Sequence, residues 1–160
     1  MAEIERSFLL KGDLPHGADR VDRVEQGYIA IDSDGTEVRI RRRAGALTLT
    51  VKSPDAGRTR TEEEMELDGG RFERLWPLTT GRRLAKDRHL FALPGGLTAE
   101  VDVYVGALAG LRVVDVEFSS EQESDGFQIP DWFGPEITGD QRYRNRELAV
   151  HGLPRETSPS

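Results

Sequence analysis

Apolar and polar side chains alternate along most of this chain. Alternation at every second residue is typical of a β-strand with one buried face, because successive side chains of a strand point to opposite faces. Eight segments show this pattern and are predicted to be strands: 3–10, 23–32, 37–43, 46–52, 60–67, 83–91, 98–106 and 111–118. Short breaks rich in glycine, proline and aspartate separate several of them. We therefore predict an antiparallel meander that is able to close into a barrel.

Helical patterns are few and short. Apolar residues at helical spacing predict one helix at 72–76, which Pro77 should end because proline cannot continue the backbone hydrogen bonds. Ser120 and Glu123 have the spacing of a capping box and predict a second helix after the last strand. A third helix is predicted within 140–150. The predicted fold class is therefore mainly β (α+β), with a few short flanking helices.

The length of 160 residues is that of one ordinary domain. No internal repeat and no linker divides the sequence. We therefore expect residues 1–151 to form a single domain and the proline- and serine-rich segment 152–160 to be a disordered tail.

Composition excludes several classes of protein. The chain has no cysteine, which excludes a disulfide framework, a thiolate nucleophile and an iron–sulfur site. No apolar run approaches the roughly 18 residues of a membrane span. The opening residues MAEIERSFLL carry carboxylates where a secretory signal has basic residues, so a cytoplasmic protein is expected. The net charge of −7 argues against a general nucleic-acid binder but leaves room for a local basic cluster that binds a small anion.

Charged residues segregate by strand on the polar faces. The acidic faces carry Glu3 and Glu5, Glu62, Glu64 and Glu66, or Asp115 and Glu117; the basic faces carry Arg39, Arg41 and Arg43, or Lys86 and Arg88. A sheet with one face in water also alternates, and the residues alone leave that explanation open. Like charges two positions apart repel each other unless a counter-ion lies between them. A closed barrel with these faces turned inward would accommodate divalent cations among the acids and a polyanion among the bases, and a triphosphate with its metal fits both.

Nine short motifs, in this order, carry a family resemblance: EIERSFLL, EQGYIA, EVRIRRR, LTVK, the alternating Glu62–Glu66, KDR, EVDVYVG, VDVEF, and PDWFG followed by TGDQRYRN. Together they resemble the CYTH domain superfamily, the triphosphate tunnel metalloenzymes, over about residues 2–149. The best fit is to the short single-domain bacterial members, which are associated with hydrolysis of inorganic tripolyphosphate. The resemblance implies an eight-stranded antiparallel closed barrel, or tunnel, whose charged lumen binds the triphosphate and Mg2+ or Mn2+.

The resemblance also assigns metal ligands. Glu3 and Glu5 match the acidic pair of the family signature ExExK. Asp115 and Glu117 match a late acidic pair, and Asp102 matches the single acid before it. Hard carboxylate oxygens suit Mg2+, which shares its coordination with phosphate oxygens of a substrate.

Basic residues of the same family pattern are expected to bind the phosphates. They are Arg39, Arg41, Lys52, Lys86 and Arg88, with Arg142 in or beside the late basic position. Arginine binds phosphate oxygens in pairs and lysine acts as a point charge. Glu62 and Glu64 match lumen acids that lie next to the metal or hold the bases in place. For each of these residues a purely structural ion pair in the lumen is the alternative.

Ser7 departs from the family pattern, because it occupies the lysine position of ExExK. In the short bacterial members that lysine lies near the tyrosine of the QGY motif, which is Tyr28 here and is the predicted catalytic residue. The lysine–tyrosine pair resembles a device that activates water or relays its proton. A serine hydroxyl cannot supply the positive charge that lowers a phenol pKa. Tyr28 is therefore expected to be a weaker base here, or a positioning partner.

The predicted function is that of a divalent-metal-dependent triphosphatase, a phosphoanhydride hydrolase that acts inside the barrel on a small polyanion. The favoured substrate is inorganic tripolyphosphate, and an organic triphosphate is the other candidate. The alternative is a non-catalytic module that binds a triphosphate, polyphosphate or nucleotide, with Ser7 marking the loss of catalysis. A third interpretation is a barrel whose lumen is only structural. No nucleic-acid or membrane partner is expected, and the sequence leaves a homodimer open.

Overall fold

The computed structural model describes residues 4–54 and 61–154 of the chain. They form one antiparallel sheet of nine strands in the order β5-β4-β3-β2-β6-β7-β8-β1-β9. The strands are β1 (Ile4–Leu10), β2 (Arg20–Ile31), β3 (Glu37–Arg43), β4 (Ala46–Lys52), β5 (Glu62–Glu66), β6 (Arg83–Ala92), β7 (Thr98–Val105), β8 (Arg112–Phe118) and β9 (Phe133–Glu136). The predicted mainly β, antiparallel architecture is confirmed, and each of the eight predicted strands has its counterpart.

Three short α-helices flank the sheet within the described residues. They are α1 (Gly69–Leu75), α2 (Glu121–Asp125) and α3 (Asn145–His151). The capping box is formed, since the Ser120 hydroxyl accepts a hydrogen bond from the Glu123 backbone N–H at 3.0 Å. In the described part of the chain no helix has both the length and the apolar character needed to cross a membrane. Residues 155–160 of the predicted tail lie outside the described residues, so its disorder stays a prediction.

The ninth strand was missed in the sequence, and its composition explains why. The strand β9 reads FGPE, so glycine and proline interrupt any alternation. It pairs with β1 alone, through Phe8 with Glu136 and Leu10 with Phe133. A proline is tolerated on such an edge strand because one side of the strand needs no backbone donor. The sheet therefore has one more strand than the eight predicted.

The sheet curls around a cavity. Strands β3 and β4 lie near one end of the strand order and β1 and β8 near the other, yet residues of all four line the same cavity. The described strands pair only with their neighbours in that order, and β5 and β9 are its two end strands. The curvature therefore brings the acidic faces of β1 and β8 across from the basic face of β3.

The main hydrophobic core lies outside the cavity wall. Phe8, Val101 and Val114 come from the outward faces of β1, β7 and β8 and are buried. Aromatic residues at the start of β9 and just before it cover them, with Phe133 packing on Phe8 at a ring distance of 5.0 Å and on Trp132 at 4.5 Å. Because the apolar faces are buried outward, alternation turns the charged faces of the same strands inward.

Gly27 lets a 3₁₀ turn at Trp76–Thr79 lie directly against β2, next to Tyr28. A Cβ at Gly27 would stand 2.5 Å from the Thr79 Cβ. Thr79 cannot move aside easily, because its hydroxyl donates to the Trp76 carbonyl at 2.7 Å and accepts from Arg83 at 2.8 Å. The close packing therefore requires glycine at this position.

We predict that Gly27→Ala destabilises the protein by about 1–3 kcal/mol, the usual cost of forcing extra volume into a packed site. Gly69→Ala is the control, because a Cβ there meets nothing within 4 Å. Chemical denaturation should lower the midpoint for the first variant and leave the second unchanged or slightly more stable. Equal midpoints for the two variants would contradict the packing account.

Candidate active site

The inner face of the sheet encloses a polar cavity of about 530 Å³. Its lining residues are Glu5, Ser7, Tyr28, Glu37, Arg39, Lys52, Tyr104, Val113, Asp115, Ile137, Gly139, Asp140, Tyr143, Arg144, Asn145 and Arg146. Six residues that the sequence singled out therefore meet here, although they are spread over more than one hundred positions of the chain. Acids from β1 and β8 and bases from β3 and β4 face one space.

Arg39 of β3 lines the positive side of the cavity, and Arg41 lies two residues further along the same face of the strand. Arg39 is only 8% exposed, and its Nε is a buried donor without a hydrogen-bond partner among the described residues. Arg41 donates from Nε to the Gln26 side-chain oxygen at 3.0 Å. Burial, together with the charges of Arg39 and Arg88, lowers the pKa of Arg41 to about 10. A buried donor without a partner is costly, so this side of the cavity is built to receive an acceptor from outside the chain.

A second basic cluster lies on β6, beside β7. Lys86 is fully buried, and its Nζ lies 2.8 Å from Asp102 Oδ2. Arg88 donates to both carboxylate oxygens of Asp102, at 2.8 and 3.1 Å, and pairs with Glu100 at 3.1 Å. Burial alone would raise the pKa of Asp102, but the charges of Lys86 and Arg88 outweigh it and lower that pKa to about 2. The predicted metal ligand Asp102 therefore lies between two predicted phosphate-binding bases and holds them together.

Helix α3 adds a residue to this cluster that the sequence did not single out. Asn145 accepts through Oδ1 from the Tyr104 hydroxyl at 2.6 Å and from Lys86 Nζ at 3.4 Å. Lys86 also lies 5.3 Å from the centre of the Tyr104 ring. The C-terminal helix thus fixes the orientation of Lys86. Nothing in the residue pattern predicts this contact, since it exists only once α3 packs over β6 and β7.

Acidic residues of β1 and β8 face each other in the sheet register. Glu5 stands opposite Glu117, and Ser7 stands opposite Asp115. The Ser7 hydroxyl donates to Asp115 Oδ1 at 2.5 Å. Burial in the wall, followed by the charges of Asp115 and Glu117, raises the pKa of Glu5 to about 8. Burial also raises the pKa of Asp115 to about 6, against the hydrogen bond from Ser7.

The donor chemistry of this acidic side fits a hard divalent cation. Within residues 4–54 and 61–154, no three acidic or histidine side chains are gathered closely enough to enclose a metal ion by themselves. Mg2+ does not need such a cage, because it usually binds one or two carboxylates and completes its shell with water and substrate phosphates. Facing carboxylates repel each other, and a cation between them removes that cost. Glu3, the other predicted ligand on β1, lies outside the described residues.

Tyr28 is buried at the cavity wall and is held by Gln26. The Gln26 amide nitrogen donates to the Tyr28 hydroxyl oxygen at 3.1 Å. Arg41 has only donors, so it fixes the Gln26 amide with its oxygen toward the guanidinium and its nitrogen toward Tyr28. Burial raises the pKa of Tyr28, although the charge of Arg39 opposes it. Near neutral pH the hydroxyl is therefore protonated, and its oxygen already accepts a hydrogen bond, so its proton is left to donate.

The remaining predicted residues lie at the edge of the cavity or outside it. Lys52 lines the cavity and pairs with the exposed Glu62 at 3.8 Å. Glu64 accepts from the Thr50 hydroxyl at 3.3 Å, so both predicted acids of β5 hold groups of β4. Arg142 is exposed and pairs with Asp140 at 2.7 Å.

Two other arginines of the C-terminal segment, Arg144 and Arg146, line the cavity in place of Arg142. A 3₁₀ turn at Gln141–Tyr143 precedes α3, and the change from one helix type to the other alters which side chains face inward. Arg142 stays a prediction as a phosphate-binding residue.

Comparison with known proteins gives close relatives. No family model matches the chain. The sequence is 42% identical over 150 residues to an inorganic triphosphatase of Nitrosomonas europaea, across 94% of this chain and 98% of that protein. It is 37% identical over 147 residues to an inorganic triphosphatase of Acetivibrio thermocellus, across 91% of this chain and 92% of that protein. A crystal structure of an inorganic triphosphatase superimposes with a TM-score of 0.78 at 39% identity, over 96% of this chain and 98% of that one.

We predict that Glu5→Gln raises the melting temperature of the metal-free protein by a few degrees at pH 8. Folding raises the pKa of the Glu5 carboxyl from 4.5 to about 8. As pH rises through that interval the unfolded chain ionises first, so the free energy of unfolding falls. The gain should therefore be larger at pH 8 than at pH 5. Thermal melts in chelator would check it.

The control for this comparison is Glu63→Gln, which removes an exposed carboxylate on the other face of β5. Its melting temperature should match the parent at both pH values. A Glu5→Gln variant that melts below the parent at pH 8 would show that the ionised carboxylate stabilises the folded protein, contrary to the geometry.

Proposed function

The chain belongs to the inorganic triphosphatase family, which confirms the resemblance to the tunnel metalloenzymes, and we propose that it hydrolyses inorganic tripolyphosphate. Water adds to a terminal phosphorus while the bridging P–O bond breaks, which gives orthophosphate and pyrophosphate. The observation that supports this most directly is the buried, unpartnered Nε of Arg39 in a cavity lined by bases on one side and acids on the other.

The bases supply binding and orientation. Arg39, Arg41 and Lys52 lie on the neighbouring strands β3 and β4, so they can bind successive phosphates along one side of the cavity. Lys86 and Arg88 lie on β6, which β2 separates from β3, and Asp102 already orients them. A phosphate oxygen would satisfy Arg39 and reduce the repulsion that Arg41 experiences from its cationic neighbours. Much of phosphoryl-transfer catalysis consists of such positioning and charge stabilisation.

The acids supply a place for a divalent metal, Mg2+ or Mn2+. Glu5, Asp115 and Glu117 would hold it, with Glu3 as a further ligand in the prediction from the sequence. A bound divalent ion neutralises phosphate charge and polarises the bond that breaks. Asp102 stays a prediction as a metal ligand, since its carboxylate already accepts from Lys86 and Arg88.

Tyr28 acts in this proposal as a hydrogen-bond donor. Its protonated hydroxyl, fixed by Gln26, faces the cavity and donates to a substrate oxygen or to the attacking water. Because Ser7 hydrogen-bonds Asp115 and carries no charge, nothing at that position favours the phenolate. This distinguishes the site from one with lysine in the same place.

We predict that the purified protein releases phosphate from tripolyphosphate with Mg2+ or Mn2+ and not in chelator. Arg39→Gln should lower kcat/KM by about 10²-fold, the usual effect of losing one preorganised donor to developing charge. It should leave the melting temperature of the free protein unchanged or higher, because a buried unsatisfied donor is removed. A phosphate-release assay and thermal melts check both parts.

The matched control is Arg42→Gln on the same strand. Arg42 points to the outer face, where it pairs with Glu25 and Glu73, so its loss should leave kcat/KM as in the parent. Equal activity of the two variants would contradict the role of Arg39. Binding of tripolyphosphate, seen as a thermal shift with metal, without any phosphate release would favour the non-catalytic module.

We predict that Ser7→Lys raises kcat. The ammonium would enter the cavity that Ser7 shares with Tyr28, where it would lower the pKa of the phenol and allow it to take a proton from water. Steady-state kinetics should show the gain, and Tyr28→Phe in the Ser7→Lys background should remove it. If Ser7→Lys and Tyr28→Phe both leave turnover unchanged, the tyrosine has no part in the reaction.

A further inference from the structure

Three arginines lie on the inner face of β3, and the last of them is paired with a carboxylate. Arg39, Arg41 and Arg43 follow one another at every second residue, so all three belong to the same face. Arg43 donates from Nε to Asp22 Oδ2 at 3.0 Å. Neither Arg39 nor Arg41 pairs with a carboxylate in the described part of the chain. Asp22 therefore neutralises the charge of Arg43. Arg39 and Arg41, on the same face of the strand, keep their positive charges.

Asp22 is buried and is held by hydrogen bonds from two arginines. It lies on β2 and is only 4% exposed. Besides Arg43 it binds Arg20, whose Nε donates to Asp22 Oδ1 at 2.7 Å. The hydrogen bond from Arg20 holds the pKa of Asp22 below its usual range, so the carboxylate stays ionised.

Arg39 is the arginine of this row that lines the cavity, and the strand register gives the distance from it to the Asp22–Arg43 pair. Tyr28 and Arg39 pair in the sheet register at the cavity, and the next position along the inner face is Gln26 with Arg41. Arg43 follows about 7 Å beyond Arg41, the distance covered by two strand residues. A phosphate chain bound on Arg39 and Arg41 and extended further would therefore arrive at Arg43 and Asp22.

We propose that Asp22 sets the chain-length preference of the site: by neutralising Arg43 it ends the run of available cations, so that tripolyphosphate is preferred over longer linear polyphosphates. The inference rests on the proposed function and specifies its substrate range. A phosphate that reached this position would meet a cation that is already paired and a carboxylate that repels it.

The test compares tripolyphosphate with tetrapolyphosphate in the Asp22→Asn variant. The ratio of kcat/KM for the longer to the shorter substrate should rise about tenfold, the scale of one added charge-assisted hydrogen bond. The matched control is Asp87→Asn, which breaks the Arg23–Asp87 pair of 2.7 Å on the outer face of β2 and β6. Its ratio should equal that of the parent. An unchanged ratio in folded Asp22→Asn would overturn the proposal.

A second pair of variants separates specificity from stability. Adding Arg43→Gln to Asp22→Asn should return the ratio to the parental value, because the gain requires the freed guanidinium. Should the single variant not fold, Asp22→Asn combined with Arg20→Gln keeps the local net charge constant and should show the same rise. If the role of Asp22 is purely structural, its variants will change the melting temperature and leave the kcat/KM ratio of the two substrates unchanged. That result would contradict the proposal.

The parent protein distinguishes this inference from the proposed function. If the parent neither hydrolyses tripolyphosphate nor shifts its melting temperature with tripolyphosphate and Mg2+, both are overturned. If the parent does hydrolyse tripolyphosphate and the Asp22 variants keep the parental ratio, only the chain-length inference fails.

Discussion

The structure depends on one electrostatic constraint, the cost of gathering like charges on the inside of a sheet. Asp102 offsets part of that cost for Lys86 and Arg88. Arg39 and Arg41 receive no such carboxylate within the described residues, and Arg39 keeps a buried donor unsatisfied. Protein stability alone does not favour this arrangement. It becomes favourable when a polyanion enters, which is why the unpaired arginines, more than the paired ones, indicate what the cavity binds.

The fold makes this arrangement possible through alternation. Apolar side chains of β1, β7 and β8 are buried on the outside of the wall, under the aromatic residues around Phe133. Because side chains alternate between the two faces of a strand, the acidic residues of these strands point to the inside. The acids of β1 and β8 lie across the cavity from Arg39 of β3 and form no ion pair with it in the described part of the chain, whereas the bases of β6 are paired with carboxylates of β7. Burial, and then the like charges on the same side of the cavity, raise the pKa of Glu5 and lower the pKa of Arg41.

The sequence predicted the strands and the faces because both follow from a two-residue period that tertiary contacts reinforce. It did not predict β9, since FGPE has no alternation to detect. Asp102 stays a prediction as a metal ligand, but the sequence did not predict its contacts with Lys86 and Arg88, which depend on the register between β6 and β7. Asn145 and Asp22 were missed for the same reason. The two-residue period predicts which face of the sheet a side chain occupies. It does not predict which residue lies beside that side chain on the neighbouring strand.

The most direct test of this account is a crystal structure of the protein with tripolyphosphate and Mg2+. The account predicts a phosphate oxygen within hydrogen-bonding distance of Arg39 Nε, with the metal between the phosphates and the carboxylates of β1 and β8. A triphosphate bound elsewhere, with Arg39 Nε still lacking an acceptor, would contradict the claim that the unpaired arginine row is the substrate site.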